Sequence, residues 1–206
     1  MAGENIAALK ELLQRMGFEN GLEGALRAKA CFLPPHFEVF HKIDKPGDAC
    51  SFLLHVVINE AGVYQCRYYD ACYRKEIIID DEMAASLETR MKVIDWQADF
   101  DEIESVMLDL STLAGSDLRL ANLLQFKCWV DTPLENRVPD ITAFRVQHEI
   151  TQRFYVVEGS APISVDEAFR FLQSRWLEKQ ARKKNGTAKA PTIAPKAHKA
   201  TKKTKH

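Results

Sequence analysis

Apolar residues recur along the chain with two different periods, and the changes of period divide it into segments. Ile6, Leu9, Leu13 and Met16 fall on one helical face, predicting a helix over about 4–16, with Gly17 placed to cap it. Asn20 followed by Glu23 has the spacing of a capping box, so a second helix is expected with Leu22, Ala25 and Leu26 inward. Pro34-Pro35 stops it.

The period then falls to two. Phe37, Val39 and His41 alternate with Glu38, Phe40 and Lys42. Lys45-Pro46-Gly47-Asp48 reads as a turn, and the run Phe52 to Ile58 as a central strand. Asn59 to Gly62 fits a hairpin connection. In "VYQCRYYDACYRKEIII", Tyr64, Cys66 and Tyr68 alternate with Gln65, Arg67 and Tyr69. Asp70-Ala71 is read as a turn, with Ile77 to Ile79 as the returning strand, and Asp80 or Asp81 caps the next helix.

Helical spacing resumes at Met83, Leu87, Met91 and Ile94, and again at Phe100, Ile103, Met107 and Leu110, where Asp99 and Glu102 form the expected cap pair. Gly115-Ser116 separates these from Leu118, Ala121 and Leu124. Pro133 and Pro139 bracket a loop. Phe144, Val146, His148 and Ile150 alternate as a strand, and Arg153 to Val157 as another. Ser164-Val165-Asp166-Glu167 is a capping box opening a helix with stripe Val165, Ala168, Phe169, Leu172 and Trp176. After Ala181 only Ile193 is large and apolar, so disorder is expected there.

The resulting fold class is α+β: an antiparallel β-meander flanked by helices, then a helical segment and a second small β-helix unit, and a disordered basic tail. The expected organisation is a first lobe over 1–81, a second, mainly helical lobe over 82–182, and the tail over 183–206.

Charge adds what periodicity does not show. Residues 179–206 hold nine lysines, Arg182 and no acid, a charge of +10. The rest of the chain holds 18 basic and 29 acidic groups, or −11. An acidic body therefore carries a cationic extension, suited to loose attachment either to nucleic acid, whose phosphates it would neutralise without reading sequence, or to another acidic partner. The residues expected to contact nucleic acid are Arg182, Lys183, Lys184, Lys196, Lys199, Lys202, Lys203 and Lys205. The acidic body is expected to meet a protein partner.

Candidate chemistry is sparse. The five cysteines are widely spaced with no CxxC pair, which favours reduced thiols over disulfides or structural zinc. His36 and His41 differ by five positions, as do Cys50 and His55, so each pair points to opposite faces of a strand. Gly17, Gly21 and Gly24 lack the context of a phosphate loop. The acids Asp99, Asp101, Glu102 and Glu104 suit a helix start rather than an ion site. No catalytic, cofactor or metal residues are assigned, and no cofactor is expected. The enzymatic alternative is a thiol site, with His55, Cys66 and Cys72 the residues to inspect. Self-association through Phe52–Ile58 as an edge strand is the other alternative. No run approaches the roughly 20 apolar residues of a membrane span. The N-terminus lacks the basic-then-apolar order of a secretory signal, so a cytoplasmic location is expected.

"LKELLQRMGFENGLEGALRAKACF", "YQCRYYDACY" and "QRFYVVEGSAPISVDEAFRFLQSRWLEKQ" together carry a resemblance. Up to about residue 182 the chain resembles a group of uncharacterised Bacteroidetes proteins found beside mobile or conjugative elements. Met16-Gly17-Phe18, Leu22, Leu26, Tyr68, Tyr69 and Ala71 also resemble repeat modules in larger proteins of such elements. The resemblance implies a genomic setting and no activity.

Overall fold

The computed structural model describes residues 6–18, 21–45 and 47–187. Two short helices, α1 (Ala7–Arg15) and α2 (Leu22–Ala30), precede three long strands, β1 (His36–Lys45), β2 (Asp48–Ile58) and β3 (Tyr64–Lys75). Helices α3 (Glu82–Val93), α4 (Phe100–Ser116), α5 (Leu118–Trp129) and α6 (Ile141–His148) follow, with a 3-10 turn at Glu135–Arg137. Strand β4 (Glu149–Tyr155) and helix α7 (Val165–Thr187) close the described chain. The four strands form one antiparallel sheet in the order β1-β2-β3-β4.

Local signals place the ends of these elements. Gly17 at φ +88 ends α1. Its N–H donates to Gln14 and that of Phe18 to Leu13, both at 3.0 Å, which satisfies carbonyls the helix leaves open. Asn59 Oδ1 accepts the N–H groups of Ala61 and Val63, folding the hairpin between β2 and β3. Asp81 caps α3 by accepting from Ala84 N–H at 2.8 Å. Ser164 and Glu167 bond reciprocally at the start of α7, as the capping box requires.

Other signals are overridden. Asn20 lies outside the described residues, and Glu23 pairs with Lys10 and Arg27. The predicted pair at α4 does not form: Asp99 accepts from Asp95 N–H, and Glu102 binds Arg90 of α3. The buried face of α4 is Val106, Leu110 and Leu113, while Phe100 and Met107 are exposed. That line also has helical spacing, and α4 turns it inward because it packs between α3 and α5.

Strand β3 runs unbroken through Asp70-Ala71, where a turn was expected. Its other departure is a bulge. His55 pairs with Tyr68 and Val56 with Cys66, leaving Arg67 as the extra residue. The insertion inverts the side-chain phase. Tyr64 and Cys66 face the helices before it, and Tyr69, Ala71 and Tyr73 face them after it. Tyr68 is therefore on the open face, not with Cys66.

The predicted strand over 144–150 is helix α6 up to His148. Phe144 and His148 stack at 6.3 Å, a contact that i,i+4 helical spacing provides. Strand β4 then joins the same sheet beside β3, so there is no separate small β unit among the described residues. Phe52–Ile58 lies inside β2, flanked on both sides, and the sheet edges are β1 and β4.

The buried residues form two clusters. The first joins α1 and α2 to one face of the sheet, and Val165, Ala168, Phe169 and Leu172 of α7 complete it. The second is built from α3–α5 and their loops, from Ile77 to Val138. Between them lies a charged junction. Arg74 of β3 bonds Glu149 of β4 at 2.5 and 3.0 Å and Asp131 at 3.0 Å. Arg145 of α6 reaches Glu149 at 3.1 Å and Glu135 at 2.7 Å. Burial alone lowers the Arg74 guanidinium pKa, and the Asp131 and Glu149 carboxylates more than reverse that, raising it.

Candidate functional site

The C-terminal cations divide between the helix and the residues beyond it. Arg182, Lys183 and Lys184 lie on α7, which continues to Thr187, past the point where disorder was expected. Gln, Ala, Arg and Lys are strong helix formers, and Arg182 lies 3.9 Å from Glu178 one turn back. Lys196, Lys199, Lys202, Lys203 and Lys205 lie outside the described residues.

The helical extension carries these charges alongside β4. A groove of about 420 Å³ runs between the strand and the helix, lined by Ile150, Thr151, Gln152, Phe171, Arg175 and Arg182 among others. Lys179 anchors one end, donating to the carbonyls of Val146 at 2.6 Å and Glu149 at 3.0 Å. Burial, then neighbouring Lys183, holds the Lys179 pKa below the ordinary lysine range. Burial, then Lys179 and Lys183, also depresses the His148 pKa. Glu149 opposes both shifts.

Arg175, Lys179 and Phe171 were not singled out from the sequence. Their spacing with Arg182, at i, i+4, i+8 and i+11 from Phe171, marks one helix face once the helix is carried through 187.

The other face of the sheet carries a second polar cluster. His55 reaches Glu38 and Asp70, each at 3.0 Å. Arg153 grips Asp70 at 2.7 and 2.9 Å and lies over the Tyr68 ring at 4.0 Å. Arg153, then His55, hydrogen-bonds the Asp70 carboxyl and holds its pKa low despite partial burial. The cations here are matched by carboxylates.

The thiol candidates do not converge. His55 is on the open face and Cys66 is buried on the helix face, so the strand separates them. The bulge puts Cys72 on the face opposite Cys66. Burial pushes the thiols of Cys66, Cys72 and Cys128 up to about 12. Cys66 lines a cleft of about 640 Å³ beside Arg15 and the 156–162 loop. Its thiol donates to the Tyr68 carbonyl at 3.4 Å. None of the five cysteines is in a disulfide, and Cys31 alone is exposed. A disulfide-exchange titration at pH 8 is expected to show one prompt thiol and four slow ones. A fast-reacting Cys66 would restore the thiol-site reading.

Among the described residues, no group of three or more His, Cys, Asp or Glu side chains is placed to hold a metal ion. No helix there is long and apolar enough to cross a membrane. Searches of protein-family models, curated proteins and solved structures find no match to the chain.

Proposed function

We propose that the protein is a non-enzymatic interaction module, attached to nucleic acid by the basic C-terminal segment while the acidic body engages a protein partner. The observation that carries this reading is the continuity of charge. Arg182, Lys183 and Lys184 stand on α7, whose first half is packed into the sheet core. The lysine-rich residues 188–206 then extend the same charge. Loose, sequence-independent attachment is the mode such a segment supports, because lysines neutralise phosphates without reading base edges. It also suits the mobile-element setting that the resemblance implies.

Duplex DNA binding measured across salt tests the reading. Removing 188–206 takes away six lysines. The slope of log affinity against log salt is expected to become shallower, by up to about five if every lysine meets a phosphate. Full-length affinity that ignores salt, or is unchanged by the truncation, would reject nucleic-acid attachment through the tail.

A further inference from the structure

Strand β4 ends the sheet, and its outer side has no strand partner among the described residues. The phase of its hydrogen bonds is readable. Val156 N–H donates to the Arg67 carbonyl at 3.1 Å, so these opposed residues form a hydrogen-bonded pair. Antiparallel pairing alternates. Phe154, Gln152 and Ile150 thus bond inward to β3, while the backbone of Tyr155, Arg153, Thr151 and Glu149 faces outward. Two side-chain contacts agree: Lys179 takes the Glu149 carbonyl, and the Gln152 amide takes the Arg153 carbonyl at 3.0 Å. The N–H groups of Thr151, Arg153 and Tyr155 point along the free edge.

Beside that edge, α7 supplies one apolar contact, Phe171, and the cations Arg175 and Arg182. Glu178 lies 3.9 Å from both arginines. Glu149 is already committed to Arg74 and Arg145. The groove therefore has a net positive charge. It repels the chain's own lysine-rich C-terminal segment. Duplex nucleic acid matches the charge but has no backbone that can ladder with a strand at about 4.8 Å. An extended polypeptide matches both features.

We infer that β4 accepts an extended acidic segment of a partner protein as a fifth strand, its backbone pairing with Thr151 and Arg153 and its carboxylates meeting Arg175 and Arg182. Side chains alternate along a strand, so acids at every second position face α7 together. The inference rests on the proposed interaction role and identifies the chemistry of the protein partner. Its outcome is separable from that of nucleic-acid attachment.

The test is fluorescence anisotropy of the full chain with a labelled peptide of alternating Asp and Val. The control is the same peptide with every second backbone amide methylated, which keeps its charge and removes ladder donors. Methylation is expected to weaken binding at least tenfold, as is R175E/R182E. T151P should also weaken it. That variant removes an outward N–H, which an edge strand tolerates, and circular dichroism checks its fold. If T151P unfolds, the methylated peptide on the unaltered protein still decides.

Equal binding of both peptides would overturn the inference, since charge alone would then suffice. So would absence of peptide binding. Should duplex DNA still bind through Arg175 and Arg182, the groove belongs to nucleic acid and the proposed attachment survives. Should sedimentation instead reveal a dimer abolished by T151P, the edge belongs to a second copy.

Discussion

Arg74→Ala is expected to lower stability by about 3–5 kcal/mol, because it strands buried carboxylates and does not merely delete a surface contact. The Arg74 side chain is 12% exposed and that of Glu149 is 3% exposed. Without Arg74, Glu149 keeps Arg145 as its cationic partner, and Asp131 loses its 3.0 Å partner. The guanidinium also sits 5.5 Å from the centre of the Phe126 ring, so alanine removes packing against the second core. For a body of this size the loss corresponds to roughly 6–20 °C in melting temperature. Thermal melts of Arg74→Ala, Glu149→Leu and the double variant check it. The double variant should lose clearly less than the sum, since neither charge is then left alone. A single-variant cost below about 1 kcal/mol would mean that water reaches the junction and the network is a surface one.

Phe52→Ala is expected to cost a similar amount, about 3–5 kcal/mol, for a different reason. Phe52 is fully buried at the centre of β2 and meets Phe18 edge-on at 5.3 Å and Tyr69 at 6.0 Å. Phe18 and Tyr69 also contact each other, at 5.8 Å, and Tyr69 is tied by its hydroxyl to the Ile163 carbonyl. These rings cannot collapse into the space a benzyl group leaves. Phe40 on β1 is the contrast: it is half-exposed on the opposite face. Urea unfolding of Phe52→Ala and Phe40→Ala should give a large and a small loss. Comparable losses would contradict the assignment of faces in the β1–β2 pair.

What could be read from residues alone depended on distance along the chain. Gly17, Asp81 and the Ser164–Glu167 box act within four residues, and each works as its spacing implies. The β2–β3 hairpin was equally local. The bulge at Arg67 was not, because an extra residue is defined only against its partner strand. Phe144 to Ile150 satisfied the strand period while Phe144 and His148 also satisfied the helical one, and tertiary packing chose the helix. The placement of β4 against β3 joins segments about 80 residues apart in sequence, beyond any periodicity window. For the candidate site, composition revealed the cations. It could not reveal that the four residues marking the α7 face line a groove beside an open sheet edge, since that depends on how α7 seats on the sheet.

The return of α7 to the first core has a consequence for the order of synthesis. Lys75 ends the third strand, yet Val165 to Leu172, which finish the packing around it, emerge only after residues 76–164. At about 5–20 residues per second, the nascent sheet waits on the order of ten seconds for its last helix. During that interval Tyr69 and Tyr73 lack Phe154 and Phe169, the rings that later cover them. The ribosome therefore releases the four-helix segment before the sheet that precedes it can be completed.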